Sequence, residues 1–252
     1  MNNLIIGGNV YNDEHKFLIP WLENISKLNS KIVIIDDGST DNSLSICSKY
    51  TSYIFQTNRL FEQGENKIRQ LWWEKATEIA EEGDFIFPLD TDVTLTENSI
   101  LYYYEELEKC IKNNCDALCG TQYDMWNKEY YREEPEKKWV ENLHPWKIGI
   151  KYKKNYKYYW NEMPIHCGQL PINAFFSIYP TKIQGQHWGY STPELRRKKV
   201  DFYNKYDPYD ITEVGKIRYD SIMDENPHLY PFIDNYIENN YNKNYNKWIY
   251  YY

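Results

Sequence analysis

Two stretches of this chain end an apolar run in acidic residues: Lys31-Ile-Val-Ile-Ile-Asp36-Asp37-Gly38-Ser39-Thr40 and Asp84-Phe-Ile-Phe-Pro-Leu-Asp90-Thr91-Asp92. The continuous β-branched run 32–35 is of the kind that forms a parallel strand buried on both faces. In an open α/β sheet, ligands sit in the crevice outside the carboxyl ends of the strands, so two acidic strand ends can converge on one site. Carboxylates placed this way point to a nucleotide and a metal ion.

The first hundred residues support that sheet. Residues 4–6 read as a short strand, and 14–28 as a helix, with Phe17, Leu18, Trp21, Leu22, Ile25 and Leu28 near helical spacing. Pro20 belongs in its first turn or at a kink. Ser39-Thr-Asp-Asn-Ser43 offers N-cap chemistry for a helix after the second strand. A third strand is expected at 53–56, an amphipathic helix at 65–81 stopped by Gly83, and a fourth strand at 84–89. Thr96 then caps a helix running to about Lys112. Such alternation predicts an α/β fold with a mostly parallel central sheet flanked by helices.

Beyond Cys119 the pattern becomes irregular and aromatic-rich, as in Tyr123-Asp-Met-Trp126, Tyr130-Tyr131-Arg132 and the stretch 152–160. Aromatic side chains with polar edges suit stacking on sugar rings, so this half is expected to serve an acceptor. The 26 tyrosines also accord with a general Asn, Ile and Lys bias. Residues 236–252 repeat Asn, Tyr and Lys and are expected to pack as a tail or stay partly disordered. The expected division is 1–207 as one domain, with 1–120 its nucleotide-binding half and 121–207 its acceptor half. Residues 208–252 form a helical or partly disordered tail.

A net charge of −8 argues against a nucleic-acid partner bound through a broad basic face. No apolar run is long enough to span a bilayer, and no secretory leader layout opens the chain, so a cytoplasmic location, peripheral to a membrane at most, is expected. Cys47, Cys110, Cys115, Cys119 and Cys167 are odd in number and form no CxxC pair, which fits reduced structural thiols.

Asp90-Thr91-Asp92 follows the fourth strand, where alternation lets both carboxylates point one way. A hard cation such as Mg²⁺ or Mn²⁺ takes oxygen ligands, commonly one or two carboxylates together with substrate phosphates. An isolated Asp-x-Asp is common in solvated turns, but this one follows a buried-type strand and precedes a helix.

In these blocks the chain resembles family-2 glycosyltransferases of the Rossmann-like GT-A fold, over roughly residues 4–207. Asn9-Val-Tyr-Asn-Asp-Glu14 looks like the opening nucleotide-contact segment, and Ile34-Ile-Asp-Asp-Gly-Ser-Thr-Asp41 like the uridine-binding Asp-Asp-Gly-Ser motif. Arg69 stands where a basic residue is frequent, and Leu89-Asp-Thr-Asp92 resembles the metal motif. His187-Trp-Gly-Tyr-Ser-Thr-Pro-Glu-Leu-Arg-Arg-Lys198 resembles a late segment whose histidine lies near the metal or diphosphate.

The resemblance implies that Asn9 and Tyr11 frame the base, that Asp37 accepts from uracil N3–H, and that Asp36 supports the turn or ribose. Asp90 would meet ribose or the metal through water, Asp92 the metal directly, and Arg69 and His187 the diphosphate side. The implied reaction is metal-dependent, inverting transfer of a hexosyl or N-acetylhexosaminyl group from a UDP-sugar or other nucleotide-diphosphate sugar. The acceptor is a hydroxyl of a glycan or of a lipid-linked or protein-linked acceptor. A carboxylate must take the acceptor's proton. Glu133 and Glu134 stand near the family's Arg-x-Asp segment, where this chain has Arg132-Glu-Glu; Asp124 and Glu162 qualify by type.

Two other readings compete. A catalytically degenerate domain would bind nucleotide sugar or glycan without turnover. A sugar nucleotidyltransferase would account for Ile6-Gly7-Gly8, but the Gly-x-Gly-Thr-Arg continuation is missing. A dinucleotide fold lacks its Gly-x-Gly-x-x-Gly.

Overall fold

The computed structural model describes residues 3–139, 146–163, 165–174, 177–207 and 213–234. In chain order the strands and helices are β1 (Leu4–Val10), α1 (Leu18–Ser26), β2 (Lys31–Asp36), α2 (Ser43–Cys47), β3 (Tyr53–Gln56), α3 (Glu65–Glu78), β4 (Phe85–Pro88), β5 (Val93–Leu95), α4 (Glu97–Lys112), β6 (Ala117–Asp124), β7 (Tyr130–Arg132), β8 (Trp146–Lys151), β9 (Ile178–His187), α5 (Pro193–Tyr206), α6 (Glu213–Asp220) and β10 (Leu229–Pro231). They fall into two compact units. The first comprises Met1–Thr94, Glu108–Leu118 and Lys147–Tyr179; the second comprises Leu95–Leu107, Cys119–Trp146 and Pro180–Tyr252.

In the first unit the strand order is β3-β2-β1-β4-β8. The pairs β1/β2, β1/β4 and β2/β3 are parallel, and β8 runs antiparallel to β4. The chain is therefore an α/β protein with a mostly parallel central sheet flanked by helices, as the alternation predicts. Order reverses at β1, with β2 on one side and β4 on the other, which makes the carboxyl end of β1 a topological switch point. Ile5, Val33, Ile35 and Ile86 of the sheet pack against Ile68, Trp72 and Ala76 of α3. The Trp72 indole N–H donates to the Val33 carbonyl at 2.9 Å, tying α3 to β2.

The glycine pair of β1 is a packing device. A Cβ on Gly7, whose φ is +150°, would lie 1.8 Å from the Val33 carbonyl oxygen; one on Gly8 would lie 2.3 Å from that of Leu89. These glycines sit inside a strand and let backbones approach. They do not form the glycine-rich phosphate loop that Ile6-Gly7-Gly8 superficially suggests.

α1 begins at Leu18, later than the periodicity implies, with Pro20 in its first turn. Asp90–Val93 is a tight turn closed by Val93 N–H to the Asp90 carbonyl at 3.0 Å. Strand alternation therefore stops before the Asp-x-Asp, and the turn orients both carboxylates. Tyr152, Tyr158 and Trp160 pack on the core with Trp73. All five cysteines are free thiols. Burial pushes those of Cys47, Cys110 and Cys167 up to about 12.

In the second unit β6 and β9 are neighbours, and β7 pairs antiparallel with β10. Thr192 caps α5 by accepting from Leu195 N–H at 3.2 Å, and Pro193 follows at the position where a missing N–H costs nothing. Trp126, Trp139, Tyr190 and Ile222 form its buried cluster. Guanidinium groups stack on the two indoles: Arg196 at 4.2 Å and Arg132 at 4.8 Å from Trp126, Arg132 at 4.6 Å and Arg218 at 4.4 Å from Trp139. The tail expected at residues 236–252 lies outside the described residues.

Candidate functional site

The carboxyl ends of β1, β2 and β4 bring together Asn9, Tyr11, Asp36, Asp37, Asp90 and Asp92 in the first unit. Register places Val10 opposite Asp36, and Asp37 N–H donates to the Val10 carbonyl at 2.8 Å. The two loops that follow are laced together. Asn12 N–H donates to Ser39 Oγ at 3.0 Å, Thr40 N–H to Asn12 Oδ1 at 2.8 Å, Asp13 N–H to Ser43 Oγ at 2.9 Å, and the Asn42 amide to Glu14 Oε1 at 2.8 Å.

Asp36 is fully buried, accepting from Ser39 N–H at 3.3 Å and from the Gln56 amide at 3.4 Å. Asp37 is also buried, and both its oxygens are engaged. Oδ1 accepts from Thr57 Oγ1 and from Leu60 N–H at 2.6 Å; Oδ2 accepts from Phe61 N–H at 3.1 Å and Arg59 Nη1 at 3.0 Å. Its role here is to fold the 57–61 segment back onto β2. That segment delivers Arg59, in a left-handed conformation at φ +53°, onto the Tyr11 ring at 3.6 Å. Sequence reasoning missed Arg59, which lies in no motif; only the fold shows that its charge reaches Asp37.

On the β4 side, Arg69 of α3 donates to Asp90 Oδ1 at 2.5 Å and to Glu65 Oε1 at 3.0 Å, and the Gln169 amide donates to Asp90 Oδ2 at 2.8 Å. Burial disfavours the Arg69 charge, but Asp90 and Glu65 outweigh it and raise the pKa. Both Asp90 oxygens are thus engaged by protein partners. Asp13 differs. Burial pushes its carboxyl up; a hydrogen bond from Thr91 opposes that, and the charge of Asp92 adds to it. Asp13 Oδ2, Asn9 Oδ1 and Arg69 Nε are buried without a hydrogen-bond partner. Buried polar atoms are normally paired, so orphans gathered at one end of a sheet point to a ligand. Oxygen donors of this kind, with Asp92 beside Asp13, fit a hard divalent cation.

Of the remaining predicted residues, Asp124, Glu133, Glu134 and His187 lie in the second unit, and Glu162 lies in the first. His187 Nδ1 is 2.6 Å from Asp124 Oδ1, and Arg218 Nη2 donates to Asp124 Oδ2. Burial would raise the Asp124 carboxyl, yet Arg218 and His187 outweigh it and hold it at about 2. Glu134 is buried against Arg132, with Arg132 Nε donating at 2.6 Å and Lys137 pairing at 3.2 Å. Burial raises its pKa, and the two cations overcome that and lower it. Glu133 accepts from the Tyr131 hydroxyl at 3.3 Å. Among the described residues no helix is long and apolar enough to cross a membrane.

The sequence and the fold have counterparts among known proteins. Glycosyltransferase GlyG of Streptococcus pneumoniae serotype 4 (strain ATCC BAA-334 / TIGR4) is 30% identical over 113 residues, covering 43% of this chain and 36% of GlyG. S. aureus TarS matches in fold with a TM-score of 0.50 at 18% identity, over 88% of this chain and 42% of TarS. The 1–349 portion of TarS gives 0.51 at 19% identity, over 88% and 69%. The matches thus cover well under half the length of GlyG and of full TarS. The description "Glycosyl transferase family 2" fits residues 10–176, a span that takes in both acidic strand ends and Arg69, and the chain belongs to that family.

Proposed function

We propose that the chain transfers a sugar from a UDP-sugar to an acceptor hydroxyl, with inversion at the anomeric carbon. The observation that carries this reading is the set of orphaned buried atoms, Asn9 Oδ1, Asp13 Oδ2 and Arg69 Nε, with the charge of Asp92 acting on Asp13, at a topological switch point. Tyr11 and the Arg59 stacked on it form a flat, cationic platform suited to a nucleobase and its phosphates. Asp37 shapes that platform by holding the 57–61 segment, and Asp36 supports the turn. Asn9 contributes its carbonyl oxygen at the base of the crevice.

Asp92, with Asp13, would hold Mn²⁺ or Mg²⁺. When bound, such an ion neutralises charge that develops on a leaving diphosphate. Asp90 keeps Arg69 extended toward the phosphates. His187 is assigned to the diphosphate side on the family resemblance of its block alone. The donated group is a hexose or N-acetylhexosamine, and the acceptor is a glycan, free or carried on a lipid or protein.

The test is UDP release from a panel of UDP-hexoses and UDP-N-acetylhexosamines with Mn²⁺, run beside a thermal shift with UDP and Mn²⁺. Turnover of at least one donor, and a shift that Asp92→Ala abolishes, are expected. An unchanged shift in Asp92→Ala would remove the cation site, and a wild-type protein inert to every donor would remove the enzyme.

A further inference from the structure

Asp37 and Arg59 meet at the carboxyl end of β2 and differ in what they have left to offer a ligand. An ionised carboxylate has two oxygens and about four lone-pair sites. At Asp37 these are taken by Thr57 Oγ1 and Leu60 N–H on Oδ1, and by Phe61 N–H and Arg59 Nη1 on Oδ2. With the residue only 2% exposed, no acceptor remains there for the N3–H of a uracil. Arg59 is held just as firmly but not used up. Its Nη1 is tied to Asp37 at 3.0 Å, its Nε lies 3.7 Å from Glu62, and its guanidinium lies over the Tyr11 ring at 3.6 Å. Among the described residues nothing pairs with Nη2, and the side chain keeps 22% of its surface exposed. A separation of 3.6 Å is van der Waals contact, so a base cannot enter between Arg59 and Tyr11. It can meet the guanidinium at its outer edge. The left-handed backbone of Arg59, at φ +53°, is a conformation that a non-glycine residue holds at some cost and that recurs at functional sites.

We propose that Arg59 is the residue that reads the base, donating from Nη2 to the O4 carbonyl of uracil, while Asp37 holds Arg59 in place and does not touch the nucleotide. The proposal rests on the donor reading above. Uracil and cytosine share their O2 carbonyl and differ at position 4, where uracil has an acceptor and cytosine an amino donor. A guanidinium only donates, so it attracts the first and opposes the second. Because Asp37 fixes one edge and Tyr11 one face, the planar fork is set before the ligand arrives and loses little freedom on binding. A lysine ammonium is a point charge without that fork; paired with Asp37, it has no second, rigidly placed donor for the carbonyl.

The experiment measures the binding of UDP, CDP and 4-thio-UDP to the full chain by titration calorimetry with Mn²⁺ present. 4-Thio-UDP keeps its N3–H but carries at position 4 a sulfur, which accepts hydrogen bonds poorly. Wild type is expected to bind CDP and 4-thio-UDP about 10-fold or more weakly than UDP, the loss that goes with a hydrogen bond to a charged donor. Arg59→Lys keeps the charge beside Asp37 and should weaken UDP alone, bringing the three nucleotides within about 2-fold of one another. The wild-type series tests the assignment even where that variant does not fold. Binding of either analogue by wild type as tight as that of UDP would overturn the assignment; for 4-thio-UDP it would mean that N3–H is read instead. So would an Arg59→Lys protein that keeps the full preference for UDP, or one that folds and loses all three nucleotides, which marks a structural role. In each of these cases the wild-type protein still binds UDP and the donor reading stands. A wild-type protein that binds none of the three would instead defeat the donor reading and this proposal with it.

Discussion

Asp124 stays ionised where burial alone would favour its neutral form, because Arg218 and His187 share its two oxygens. Its folded pKa of about 2 lies below the ordinary carboxylate value of 3.8. A depressed carboxylate contributes stability that is present above the unfolded pKa and is lost as pH falls through the folded one. Here the window runs from about pH 4 down to about pH 2, and the shift corresponds to about 2 kcal/mol. Asp124→Asn should therefore be less stable than wild type by about that amount at pH 6, with the gap closing across the window. Urea unfolding at stepped pH measures it; a gap independent of pH would mean that the pair contributes nothing as an ion pair. By residue type alone, Asp124 qualified as a base beside Glu133 and Glu134. Its partners come from β9 and α6, far along the chain, and only the fold reveals that its charge is already engaged.

Among the elements, those whose pattern is local were legible. The β-branched run 32–35, the period of α3 and the cap before α4 each appear within a few residues of their expected bounds. What stayed hidden depends on partners distant in sequence. β9 carries Pro180 and Gly185, residues that argue against a strand interior, yet it spans ten residues. β5 is three residues long and begins inside the turn that holds Asp92. Within the aromatic stretch 152–160, Tyr158 and Trp160 pack edge-on against Trp73 of the core. The tightest constraint on any element is at Gly7. Gly7→Ala would press a methyl into the Val33 carbonyl and force β1 from β2, at a cost of about 3 kcal/mol or more. Thermal unfolding of that variant should show a large drop or no cooperative transition. A loss under about 1 kcal/mol would mean that the two strands can part without penalty.

At the scale of the whole molecule, the proposed donor residues other than His187 belong to the first unit, so ligand binding should be read out there first. A ligand that binds only the folded state at 100 times its Kd adds about 2.7 kcal/mol. UDP with Mn²⁺ should therefore raise the melting temperature, and chelation by EDTA should reverse the rise. A shift of equal size from UDP with EDTA present would show that the nucleotide binds without a cation. The close approach at Gly7 and Gly8 bears on how such a site survives mutation. Around β1 the sheet is spaced by main-chain atoms in contact, the Val33 and Leu89 carbonyls against bare Cα positions. The gauge that sets the separation of the two acidic ends is made of atoms common to every amino acid. Side chains of the surrounding core can drift over generations while the width of the cleft stays fixed, and only two codons hold it.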